Sequence, residues 1–398
     1  MTGPDHAPSS RFAATFALGF RPFYLGGAAM AVLGTGIWAL VMIGRLDIDG
    51  PLQGMLWHGH ELIFGFGAAV LTGFLLTAVR AWTGILTLNG GRLALLFSIW
   101  LAARVLLLTG PAIPAVVIDL AFLPLVALAI GVPLWQSGNR RNIVMVLVLL
   151  VLAGLNAGYH ATALGFAEIP AIRMAAGAAG LFGLLITIIA GRVVTMFFNN
   201  ATPAKAARNL PGLAPVLAVA MALIAIGDIS GAVEFLPAEI AALLFALVAA
   251  LHVVRIIAWR PDKVIAEPIL WILWVAYSFL PLALVFRALE FAGADLPPNL
   301  ALHALTAGAM GGMMLAMMTR SALGHAGYPI KASVLDTVAY LSVIAGALIR
   351  VLLPLMDQID YDAIISLSAV LWCLGFVCFF IRYWPILTRV RADSGLLR

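Results

Sequence analysis

The sequence predicts an all-α polytopic membrane protein with twelve transmembrane helices. Three observations carry this. Of 398 residues, 63% are hydrophobic and only 10% are charged, whereas a soluble domain carries about 25% charged residues. Apolar runs of roughly 18 residues or more, the length that crosses a bilayer, recur from Leu25 to Trp384. The basic residues also gather on alternate loops, as they do in spanning proteins. At ~20 residues per span, little chain is left, so residues 1–398 read as one integral membrane domain with tails 1–20 and 385–398. Soluble enzymes, nucleic-acid binders and secreted disulfide scaffolds are excluded. Cys373 and Cys378 lie five apart on one apolar helix and suit neither a disulfide nor a CxxC site. Arg21-Pro22 leads straight into an apolar span, without a cleavable signal pattern.

In order, the predicted spans are 22–44, 57–79, 92–109, 112–135, 142–164, 171–196, 212–232, 237–258, 268–290, 299–319, 332–354 and 362–384. Helix-breaking residues mark most joints: Gly50-Pro51, Gly110-Pro111, Pro170, Pro211-Gly212, Pro237, Arg260-Pro261 and Pro297-Pro298. An even number of spans puts both termini on one side. That side collects all but five of the 23 basic residues; Arg45, Arg104, Arg173, Arg287 and Arg350 fall opposite. Asp47, Asp49, Glu168, Asp228, Glu234, Glu239, Asp295, Asp357, Asp360 and Asp362 also fall opposite. Basic residues stay inside, so both termini are expected in the cytoplasm. The net charge of +5 is then topological and no signal for nucleic acid.

Spans 2, 6 and 10 resemble one another. Each is rich in small residues and closes on an arginine: Gly65, Gly67 and Gly73 before Arg80; Gly177, Gly180 and Gly183 before Arg192; Gly308, Gly311 and Gly312 before Arg320. Small residues let helices or a flat cofactor approach closely. The spacing suggests three four-helix units around a pseudo-threefold axis, against the plainer reading of Gly-rich packing with snorkelled arginines.

The histidines concentrate at one depth. His58 and His60 in Trp57-His58-Gly59-His60-Glu61 open span 2, His160 closes span 5 and His303 opens span 10, all at the outer face. Ionisable groups in hydrocarbon are costly and mark function. Imidazole pairs clamp haem iron and also suit copper; a proton path or plain packing would use the same residues. His58 and His60, two apart on a helix, point away from each other. Arg104, Arg287 and Arg350 lie near this layer, with Glu61 and Asp119 at similar depth, and suit haem propionates, or else pair locally, as Arg287 would with Glu290. His252 and His325 sit at the opposite face with Arg192, Arg255 and Arg320 and mark a weaker second site. Met310 is seven residues from His303, on the same face of a regular helix, and its thioether suits copper or haem iron. His6 lies in the tail.

Several segments, taken in order, carry a resemblance: Gly19-Phe20-Arg21-Pro22-Phe23, then Trp57-His58-Gly59-His60-Glu61 with Phe64-Gly65-Phe66. Gly73 to Val79 with Trp82-Thr83-Gly84, Gly191-Arg192, and His303-Ala304-Leu305-Thr306 through Met318-Thr319-Arg320 to Leu323-Gly324-His325 complete the set. Over nearly its whole length the chain resembles an NnrS-type protein. The family comprises polytopic bacterial membrane proteins that contain haem and copper and are linked to nitric oxide and nitrosative stress. The resemblance implies haem, of the b type, and copper, without assigning a histidine to either. On the residues' own reading, haem is expected between His303 and one of His58 or His60. A more distant similarity links the chain to haem-copper oxidase main subunits, with twelve helices in three arcs. The chain departs from these, because span 6 has no histidine and no HPxVY-like copper segment exists. Besides a protective haem and copper protein, two other functions remain open. One is a redox enzyme that turns over nitric oxide or takes electrons from quinol. The other is a twelve-helix secondary transporter, which would show two six-helix repeats. The expected partners are the lipid bilayer and quinol or another electron donor.

Overall fold

A computed structural model describes residues 10–203, 205–356 and 359–389. His6, Asp357, Arg391 and Arg398 lie outside the described residues. Twelve helices are long and apolar enough to cross a membrane. They are α1 (Phe20–Met42), α2 (Gly54–Thr83), α3 (Gly90–Thr109), α4 (Ala112–Gln136), α5 (Arg140–Ala163) and α6 (Ala171–Ala201). The others are α7 (Leu213–Ser230), α8 (Ala238–Lys263), α9 (Pro268–Phe291), α10 (Leu300–Ala326), α11 (Val334–Leu355) and α12 (Tyr361–Leu387). Each falls on one predicted span, and the described residues contain no strand. Several helices outrun the expectation, α6 and α10 among them. α6 continues to Ala201, and α10 continues past Thr319 to Ala326, so His325 lies inside the helix. α10 ends only where Gly327 takes a left-handed φ of 78°, the usual helix stop.

Contacts group the chain into two compact units. The first holds α1–α5 with the ends of α10 and α12; the second holds α6–α9, α11 and the remainder of α10 and α12. The expected three four-helix units are not what this grouping marks out. α2 is the first unit's inner helix: 78% of its core window is buried, against 33% for α1 and α3. Its small residues are the reason. A Cβ added to Gly73 would sit 3.0 Å from the Tyr24 ring and 3.1 Å from the Phe20 backbone, so the absent side chain is what lets α1 lie against α2. Arg21, buried at the start of α1, donates to the carbonyls of Ala14 (2.8 Å) and Arg389 (2.7 Å) and ties these two segments of the unit together. The Gly-Phe-Arg-Pro-Phe run is thereby accounted for as packing.

In the second unit α9 packs on α8, α10 and α11. α9 and α10 are each 67% buried and α6 only 50%, so burial does not single out the Gly-rich helices. α9 has an apolar residue on every face and needs no glycine to be enclosed.

α2 and α10 share a feature that the sequence reading did not anticipate. Each widens into a π-helical stretch immediately after a histidine, Glu61–Gly67 after His60 and Ala304–Gly311 after His303. Both runs read His-x4-Gly. Such widened turns cluster at functional sites.

Candidate metal centre

The first unit contains a polar cluster sealed in apolar surroundings. His60 and Glu61, where the α2 π-stretch begins, are fully buried, and Arg104 on α3, Asp119 on α4 and Asn156 and His160 on α5 are nearly so. Both His60 ring nitrogens face oxygen. Nδ1 lies 3.0 Å from Glu61 Oε1, and Nε2 lies 3.1 Å from Asp119 Oδ2 and 2.9 Å from Asn156 Oδ1. Asn156 donates through Nδ2 to Asp119 Oδ2 at 2.7 Å, which fixes its amide orientation. His160 Nε2 reaches the same Asp119 oxygen at 2.9 Å. Arg104 donates to Glu61 Oε1 at 2.9 Å and, through its other amino nitrogen, to Asp119 Oδ1.

Local structure explains how these groups meet. Asn156 and His160 are one helical turn apart on α5 and share a face. The widened turn of α2 loosens its own hydrogen-bond ladder, and the Gly65 carbonyl accepts from the Trp100 indole at 3.0 Å. Tyr159, beside His160, donates to the Leu56 carbonyl at 2.7 Å and locks α5 to the start of α2.

The charges do not balance without a further cation. Arg104 supplies one positive charge against two carboxylates, and a buried excess charge is costly. A proton on His60, which both its nitrogens could donate, offsets the excess; so would a metal cation. His60, Asp119 and His160 each offer a ligand atom, and these atoms lie within 4.8 Å of one another. Two imidazoles and a carboxylate suit copper, zinc or non-haem iron. The Nδ1 of His160 and Oε2 of Glu61 are buried with no hydrogen-bond partner among the described residues, so the cluster has spare polar capacity.

The same cluster does not suit haem. The His60 and His160 rings lie side by side with centroids 4.7 Å apart, and their Nε2 atoms converge on one carboxylate oxygen. No macrocycle fits between them. Iron at His60 Nε2 would also displace Asp119 and Asn156 from that nitrogen.

The other predicted residues fall elsewhere. His58 points away from His60, as expected, and stacks on Trp38 with centroids 4.8 Å apart. His303 belongs to the second unit. Its Nδ1 donates to the Asn299 carbonyl at 2.8 Å, which leaves Nε2 to bear the lone pair. This is how a ligating histidine is usually oriented, so His303 has the chemistry of a haem or copper ligand. Met310 is buried in the π-stretch, where the wider turn breaks the seven-residue alignment with His303 expected of a regular helix. The three arginines are held locally. Beyond Arg104, Arg287 donates to Asp228 at 3.0 Å and lies 3.8 Å from Glu290, and Arg350 donates to the Tyr361 hydroxyl at 3.0 Å. His252 bonds the Tyr277 hydroxyl (2.7 Å), which also accepts from Arg255 (3.0 Å). Arg192 shares the second unit with them, whereas Arg320 and His325 belong to the first.

A family model described as NnrS protein matches residues 14–391. The chain belongs to the NnrS family. A comparison with curated proteins finds no match. Within the NnrS match lie both His-x4-Gly runs and every member of the buried cluster. Sequence reading placed Asp119 at the right depth but not among the ligands, and missed Asn156 altogether. Its one-turn spacing from His160 was the available signal.

Proposed function

We propose that this NnrS-family protein is a metal-binding inner-membrane protein that protects against nitric oxide and nitrosative stress. In this reading His60, Asp119 and His160 hold copper, and His303 ligates a b-type haem through Nε2. The observation that carries it is the convergence of two buried imidazoles on one carboxylate oxygen in a cluster with excess negative charge. When bound, copper or haem iron supplies the redox and nitric oxide-binding chemistry. The chain's own residues orient and insulate. Glu61 holds the His60 ring through Nδ1, Asn156 holds Asp119, Arg104 holds both carboxylates, and Asn299 fixes the His303 tautomer. Burial excludes water and tunes the metal.

Metal analysis of protein purified with copper tests the first assignment. Wild type should retain near-stoichiometric copper, and His60→Ala and His160→Ala should each lose affinity by at least ~10-fold, the scale seen even for outer-shell partners. Copper content equal to wild type in both variants would overturn the site. Separately, His303→Ala should lose the reduced-minus-oxidised haem spectrum while still inserting in the membrane.

The same reading places both termini in the cytoplasm. Reporter tags at either end should be protected from periplasmic probes, and a tag between α11 and α12 should be accessible. A periplasmic C-terminal tag would overturn the shared outer depth of His58, His60, His160 and His303.

A further inference from the structure

The second unit carries a half-open cavity of ≈ 380 Å³ among α6, α7, α8, α9 and the start of α10. Its wall is mostly aliphatic, with Ala176, Met221, Ala283, Leu284, Leu302 and Leu305 among its lining. One patch is polar, made by Asp228, Arg287, Glu290 and Asn299. An apolar cavity of this size with a few convergent polar groups is the usual form of a small-molecule site.

The polar patch restricts the ligand. Arg287 is already occupied: it donates to Asp228, approaches Glu290, and sits 4.8 Å above the Phe245 ring and 5.7 Å from that of Phe291. Two carboxylates against one guanidinium leave a negative excess, so phosphates and other anions are disfavoured. An ammonium is poorly served too, because Arg287 has taken the aromatic faces that would cage it. What remains are acceptors. Asp228 Oδ2 and Glu290 Oε1 make no hydrogen bond among the described residues, and the Asn299 amide adds an acceptor and a donor. A neutral, largely apolar molecule that bears hydroxyl donors meets these terms.

We propose that this cavity binds the head of a membrane quinol, with a ring hydroxyl donating to Asp228 or Glu290 and the ring and first tail carbons against the aliphatic wall. Asn299 joins the cavity to the neighbouring helix start, because its carbonyl accepts from His303 Nδ1. The backbone of Asn299 has a left-handed φ of 66°, which asparagine tolerates better than most residues. A bound quinol would thus lie beside the residue that orients His303. Binding itself needs no metal and is measured without one, so it can fail or succeed independently of the metal reading above.

The test uses the full chain in nanodiscs and a radiolabelled decyl-tailed benzoquinol. Wild type should bind it saturably. Ala283→Phe and Ala176→Phe fill the cavity from different helices, and each should weaken binding at least ~10-fold, as expected when apolar contact area is replaced by a clash. Asp228→Asn should weaken it about tenfold by replacing a charged acceptor. Two filling variants guard against one that fails to fold. Absence of saturable binding to wild type, or wild-type affinity in a folded filling variant, would overturn the proposal. So would native mass spectra showing one phospholipid retained by wild type and lost from a filling variant, since a lipid would then be the occupant.

Discussion

Asp119→Ala should destabilise the first unit by several kcal/mol, about 1–3 kcal/mol for each buried donor left without its acceptor, and should abolish copper binding. Asp119 is the point where four side chains meet. It accepts from Arg104 and Asn156, and both His60 and His160 lie at its Oδ2. Removing it leaves the Arg104 guanidinium, 6% exposed, with only Glu61 as a counter-charge. It also leaves two imidazole nitrogens facing a void. Asp119→Asn keeps the shape and part of the hydrogen bonding, so it should lose copper with a smaller loss of stability. Thermal unfolding in detergent, read with metal content, distinguishes the two effects. An Asp119→Ala variant as stable as wild type would show that the cluster is solvated and that its burial argument is wrong.

Gly308→Val should destabilise the second unit by roughly 1–3 kcal/mol, the range for overpacking a filled core. Gly308 lies in the π-stretch of α10, and a Cβ there would overlap the Phe279 ring of α9. The neighbouring glycines leave no alternative seat. A Cβ at Gly312 would come within 2.6 Å of the Ala276 Cβ, also on α9, so α10 cannot slide away from one contact without meeting the other. The obstacle is a single ring, and this gives a check. Phe279→Ala should offset part of the loss in the double variant, producing a coupling of about 0.5–3 kcal/mol in a double-mutant cycle. Strict additivity would show that the close approach is not what Gly308 provides. Because His303 immediately precedes this π-stretch, Gly308→Val should also diminish the haem signal.

The sequence by itself determined the membrane class and the helix count. Spans are written in runs of apolar residues whose minimum length is set by bilayer thickness, and loops in Pro and Gly that cannot continue a helix. Each predicted span has its helix. The histidine pair Trp57-His58-Gly59-His60 was also legible, since two residues two apart on a helix must diverge. Tertiary structure decided what a one-dimensional pattern does not encode, namely which polar residues meet. Arg104, Asp119 and Asn156 come from three helices, and no sequence spacing relates them. For Arg287 the sequence offered a propionate or its near neighbour Glu290, but Asp228, brought in by α7, is the closer partner. The widened turns after His60 and His303 escaped notice because a π-stretch carries no periodic signature of its own. It forms where packing against a neighbour outweighs the lost helix geometry, and that same packing re-aims Met310 out of register with His303. Composition fixes that these residues lie in a bilayer, but the close approach of helices, permitted by glycines such as Gly73 and Gly308, fixes which buried charges find one another.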